Sequence, residues 1–159
     1  MTAIFVPARS SAWRNLITGG LVMGTLDLIF ACSFWSLSHG VPPMRILQSI
    51  AAGVQGTAAF AGGVSSALLG AACHYFIATT MVLAYYLVGL RFATLLRHPV
   101  RYGLPYGLLL YATMTWIVVP LSNAPAPKAP NPTWIIASIV MHMILGVICA
   151  WYARRARNP

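Results

Sequence analysis

Four apolar runs, Leu16 to Leu37, Ser66 to Leu90, Leu104 to Leu121 and Thr133 to Tyr152, divide this 159-residue chain into a pattern that few folds can accept. Each is close to the ~20 helical residues that cross roughly 30 Å of hydrocarbon. Backbone N–H and C=O groups find no partners in lipid, so a spanning segment satisfies them internally as a helix or between the strands of a closed barrel. A barrel needs segments of about ten residues with alternating polarity, and these runs lack that alternation. The expected fold is all-α: one integral membrane domain over residues 1–159, a bundle of four transmembrane helices at about 16–37, 66–90, 104–121 and 133–152.

Composition agrees: hydrophobic residues make up 59% of the chain and charged residues 7%, with mean hydropathy +0.77, too apolar for a water-soluble surface. The net charge of +9 does not point to nucleic acid, because the basic residues form short clusters between apolar runs rather than one basic face. Those clusters read as topology signals. Arg9 and Arg14, then Arg91, Arg97 and Arg101, then Arg154, Arg155 and Arg157 fall on one side, leaving only Arg45 and Lys128 on the other. The positive-inside rule puts that first side, with both termini, in the cytoplasm. Trp13 and Trp151 then mark the cytoplasmic interface and Trp35, Trp116 and Trp134 the external one. The first run is too long for a signal-peptide core and is expected to stay as a helix.

On the external side, Val41-Pro42-Pro43 breaks the chain and helical spacing resumes at Arg45. A short interfacial helix is expected at about 44–60, with Ile46, Leu47, Ile50 and Val54 on one face, Gln48 and Gln55 on another, and Gly62-Gly63 as a hinge. The last external connection, Asn123 to Pro132, holds four of the eleven prolines and is expected to be extended. Gly20-Leu21-Val22-Met23-Gly24 and Gly103-Leu104-Pro105-Tyr106-Gly107 both read GLxxG and open the first and third runs. This suggests a 2+2 repeat of parallel helix pairs.

Asp27, the only acidic residue in the chain, lies mid-way along the first run. A carboxylate at that depth costs about 2.5–3.5 kcal/mol on insertion scales, so it is expected to face protein or water. At about 1.5 Å per residue, Asp27, His74 and His142 lie roughly 15, 12 and 13 Å below the external ends of their helices, in one layer. Small residues flank each on its own face: Gly20, Gly24 and Ala31 around Asp27, Gly70 and Ala78 around His74, Ser138 and Gly146 around His142. Together with Gly103 and Gly107, the glycines at 20, 24, 70 and 146 are the expected points of close helix approach.

Three readings of this Asp27–His74–His142 layer stay open. It is an interhelical hydrogen-bond set that fixes packing. Alternatively His74 and His142 ligate a metal or a tetrapyrrole such as haem, the small residue four positions before each leaving room for a flat macrocycle. Or the layer forms a proton or small-solute pathway, in which Asp27 and a histidine exchange protons. No HExxH, HxH or CxxCH motif is present, and no catalytic residue is assigned. Cys32, Cys73 and Cys149 read as small packing residues, His39 and His98 as solvated loop residues, and Tyr75, Tyr85, Tyr86, Tyr106 and Tyr111 as interior or interfacial. The partners implied are the lipid bilayer and either a homodimer, for which Gly20 and Gly24 offer a seam, or a larger membrane complex in which the chain is an accessory subunit.

Several stretches also carry a family likeness: Gly20 to Asp27, Arg45-Ile46-Leu47-Gln48-Ser49-Ile50-Ala51-Ala52-Gly53, Gly70 to His74, Gly103 to Gly107 followed by Met114, and Val119-Pro120-Leu121-Ser122. In these the chain resembles the YagU-like family of largely uncharacterised bacterial inner-membrane proteins. The resemblance implies a multi-pass protein of the bacterial inner membrane and carries over no reaction.

Overall fold

The structure, a computed structural model, describes residues 9–125 and 131–157. Its helices are α1 (Arg9–His39), α2 (Pro43–Gln55), α3 (Gly63–Arg91), α4 (Ala93–Arg97), α5 (Pro99–Leu121) and α6 (Pro132–Arg157), with a 3₁₀ segment, Gly56–Ala61, between α2 and α3. No strand occurs among the described residues. Four helices, α1, α3, α5 and α6, are long and apolar enough to cross a membrane.

These four helices outrun the apolar stretches because hydropathy marks the hydrocarbon, whereas the backbone ladder continues into the interface until a breaker stops it. At one end of α1 that breaker is Gly40, whose φ of +65° is left-handed. Proline sets several starts instead: Pro43, Pro99 and Pro132 occupy first helical positions, where the missing N–H costs nothing. Pro132 thus corrects the expectation of an extended segment up to that residue. Asn131 caps α6, its Oδ1 accepting the Trp134 N–H at 3.0 Å. Much of the remaining proline-rich connection, residues 126–130 with Lys128, lies outside the described residues.

Small residues set the packing. A Cβ on Gly146 would fall on the Gly103 carbonyl and the Gly107 backbone, and one on Gly107 would fall on the His142 carbonyl. Helices α5 and α6 therefore touch backbone to backbone, as small residues permit in membranes. Gly20 meets Thr79, and Gly24 meets Tyr75 and Ala78, so this pair is occupied by the α1–α3 contact within one chain rather than forming a seam for a second copy. Leu16, Met23, Val82, Leu110, Leu145 and Cys149 fill the interior between the helices. All three cysteines are free.

The two ends of the bundle differ in chemistry. At one, Asn15 Nδ2 donates to the Arg155 carbonyl at 3.3 Å, joining the start of α1 to the last turns of α6. That end carries Arg91, Arg97, Arg154, Arg155 and Arg157. At the other, α2 packs on α3 through Gln48, Ala51 and Ala52, which are buried. Gln48 Nε2 donates to the Gly63 carbonyl at 3.1 Å, and Ser66 Oγ donates to Gln55 Oε1 at 2.7 Å. The face of α2 carrying Gln48, Ala51 and Ala52 thus docks on α3, because Gly70 lets the Leu47 carbonyl come against that helix. Val54 stays exposed, while Ile46 and Ile50 turn towards a cavity between the long helices.

Candidate functional site

A cavity of about 550 Å³ lies between α1, α3, α5 and α6, with α2 along one wall. Asp27, His74 and His142 all line it. Most of the remaining wall is apolar, including Met23, Leu28, Ile77 and Leu145, with the rings of Trp35, Tyr111 and Trp134.

The three polar residues are not equally close. His74 Nε2 lies 2.9 Å from the Gly24 carbonyl and 4.0 Å from Asp27 Oδ2. The shorter contact decides the geometry: Nε2–H donates to a helix carbonyl one turn before Asp27, and the carboxylate stands at the outer limit of an ion pair. Gly24 makes this bond feasible, since its missing Cβ brings α1 against α3 at Tyr75 and Ala78. His142 turns its Nδ1 to the Ser138 carbonyl of its own helix at 2.8 Å, and Tyr111 meets the imidazole edge-on at 5.5 Å. Among the described residues no hydrogen bond joins His142 to Asp27 or His74. His142 therefore shares the cavity with the pair without touching it.

His74 loses the space expected for a macrocycle four residues before it, while Ser138, four before His142, lines the cavity. Gly70, four residues before His74, is covered by the Leu47 carbonyl, and Gly146, four after His142, is covered by α5. Ser138 and Ala78 are buried. Gly70 and Gly146 serve helix contact and leave no room for a macrocycle against them, whereas Ser138 and Ala78 face the cavity. No group of three or more His, Cys, Asp or Glu suited to a metal occurs among the described residues, leaving His74 and His142 as at most two nitrogen donors.

Two features of the site escaped the sequence reading. Met114–Val118 form a π turn within α5, where the Val119 N–H reaches back five residues to the Met114 carbonyl. Pro120 explains it: proline lacks the N–H that would bond the Trp116 carbonyl, and its ring would clash with that oxygen. The wider turn sits beside the cavity, with Met114, Thr115 and Val119 in its wall, and π turns are frequent at functional sites. The signal was Pro120 inside an apolar run. The second feature is an aromatic cluster: Trp134 stacks on Phe30 at 5.4 Å and lies 5.3 Å from Trp35, which packs against His39 at 4.8 Å. His39, expected in a loop, is the last residue of α1 and belongs to this cluster. Of the five tyrosines considered, only Tyr111 lines the cavity. Tyr85 and Tyr106 donate instead to the Leu95 and Met81 carbonyls.

Comparison with protein-family models, with curated proteins and with solved structures finds no match to this chain.

Proposed function

We propose that this chain is a small multi-pass membrane protein that admits a small amphipathic cation, such as a protonated amine, to the cavity between its helices and couples that binding to proton exchange at Asp27 and His74. One observation carries the reading: the chain's only side-chain carboxylate lines an otherwise largely apolar cavity, 4.0 Å from an imidazole. Packing alone would be served by Asn or Ser without the cost of burying a charge. Apolar walls with a few convergent polar groups are the usual form of a small-molecule site, and Trp35, Tyr111 and Trp134 offer ring faces that attract cations. Two elements lie beside the cavity: α2, flanked by Gly40 and Gly56 at positive φ, and the π turn of α5.

The same reading places the protein in the bacterial inner membrane with both termini cytoplasmic and α2 external, supported by the arginine distribution and by the YagU-like stretches. The paired GLxxG stretches of α1 and α5 support an ancestral 2+2 duplication; against it, α1 packs closely along α6 while the equivalent pair, α3 and α5, meet through tyrosine side chains, Tyr106 donating to the Met81 carbonyl. The test of function is proton flux in liposomes carrying the purified protein and a pH dye, after addition of an amphipathic primary amine. Flux that depends on the amine and is lost in Asp27→Asn supports the proposal; amine-independent or unchanged flux removes it.

A further inference from the structure

At the basic end, a second cavity of about 370 Å³ is lined by Ala93, Leu96, Arg97, Arg154 and Arg157. Its position follows from local packing. Leu96 is buried against Gly89, Ala150 and Ala153, which fixes α4 beside the last turn of α6. Arg97 is the next residue, and Arg154 and Arg157, three apart on α6, share a face.

Three exposed arginines thus line one cavity to which no described residue supplies a carboxylate side chain. The only one, Asp27, lies about 18 Å further along α1 than Asn15, which marks this end. Arg157 gives one N–H to the Gly89 carbonyl at 3.5 Å, while Arg97 and Arg154 make no hydrogen bond to protein among the described residues. Their neighbour Arg155 differs: it lies over the Trp151 ring at 3.9 Å and does not line the cavity. Three like charges along one cavity wall favour an anion from outside, and the planar guanidinium fork matches phosphate oxygens two at a time.

We propose that this cavity is a phosphate site, filled by the headgroup of an anionic phospholipid or by a free phosphate. Its place at the arginine-rich end of a bundle of apolar helices is where basic pockets meet lipid headgroups.

The test is the thermal unfolding midpoint in neutral detergent, in two arms: added phosphatidylglycerol against phosphatidylcholine, and inorganic phosphate against chloride at equal ionic strength. The wild type is expected to gain several degrees in at least one arm; a gain with lipid alone assigns the headgroup, and a gain in both shows that phosphate suffices. Arg97→Gln with Arg154→Gln is expected to abolish the gain, and Arg155→Gln, an equal loss of charge per residue from the same turn, to keep it. No gain in either arm, an equal gain with phosphatidylcholine, or equal loss in Arg155→Gln would overturn the site. If the double variant does not fold, Arg154→Gln set against Arg155→Gln makes the same comparison.

Discussion

Gly103→Ala tests the seam that holds His142 in place. The added methyl would lie 2.6 Å from the Val147 Cα and 2.8 Å from the Gly146 carbonyl, where ordinary contact begins near 3.4 Å. Both neighbours are backbone, so no rotamer relieves the clash and α5 must retreat by about 0.8 Å, the difference between 3.4 and 2.6 Å. That retreat loosens the Gly107–His142 and Gly146–Gly103 contacts together. Overpacking of a tight interior costs about 1–3 kcal/mol, well above the sub-kcal/mol helix-propensity gain of alanine over glycine. Gly53→Ala is the matched control: it lies inside α2, and its methyl would sit 3.7 Å from Ser122 Cβ, an ordinary contact. Denaturant unfolding in detergent, followed by circular dichroism, should show Gly103→Ala destabilised by about 1–3 kcal/mol and Gly53→Ala unchanged or slightly stabilised. Equal stability of the two variants would refute the backbone contact between α5 and α6.

Further outcomes follow from the same geometry. Asp27→Asn should abolish amine-dependent proton flux and leave the unfolding midpoint unchanged or raised, since it removes a half-buried charge and the coupling group at once; a lower midpoint would make Asp27 a packing residue. Pro120→Ala should close the π turn into a regular helix and turn Thr115 away from the cavity, so that a cysteine at 115 loses reactivity towards a water-soluble maleimide; unchanged labelling would show that Pro120 does not set the turn. Gly70→Ala should push the Leu47 carbonyl off α3 and increase proteolysis within α2, and resistance equal to wild type would count against that docking. The purified protein should show no tetrapyrrole absorption band; a band lost in His74→Ala or His142→Ala would restore the ligand reading.

The four long helices were legible because hydropathy and hydrogen-bond satisfaction in lipid leave little choice, and their ends were not because Pro99, Pro132 and Gly40 act outside the apolar runs. Asp27, His74 and His142 could be placed at one depth by counting residues, but depth does not give azimuth. The structure puts Asp27 beside His74 across the Gly24 contact and sets His142 apart against Tyr111. Small residues read equally well as helix contacts, a dimer seam or room for a macrocycle. Only the partner across each settles which: Thr79 for Gly20, Leu47 for Gly70, Gly103 for Gly146. The two faces of α2 could be named from spacing, but which one docks on α3 follows from close approach at Gly70, which buries Gln48, Ala51 and Ala52. The π turn depends on a single proline inside an apolar stretch, a signal that hydropathy averages away.

If Asp27 makes the large cavity selective for a cation, equilibrium binding of an amphipathic quaternary ammonium and of its neutral isostere will separate the two ligands. Opposite charges about 4 Å apart interact by about 4 kcal/mol at an effective dielectric near 20. The Asp27 side chain is 25% exposed, and solvent screening brings such a pair down towards about 1 kcal/mol, a preference of about fivefold. The wild type is expected to bind the cation about fivefold more tightly than the isostere and Asp27→Asn to bind both alike. Equal binding by the wild type, or a preference that survives in Asp27→Asn, would contradict it.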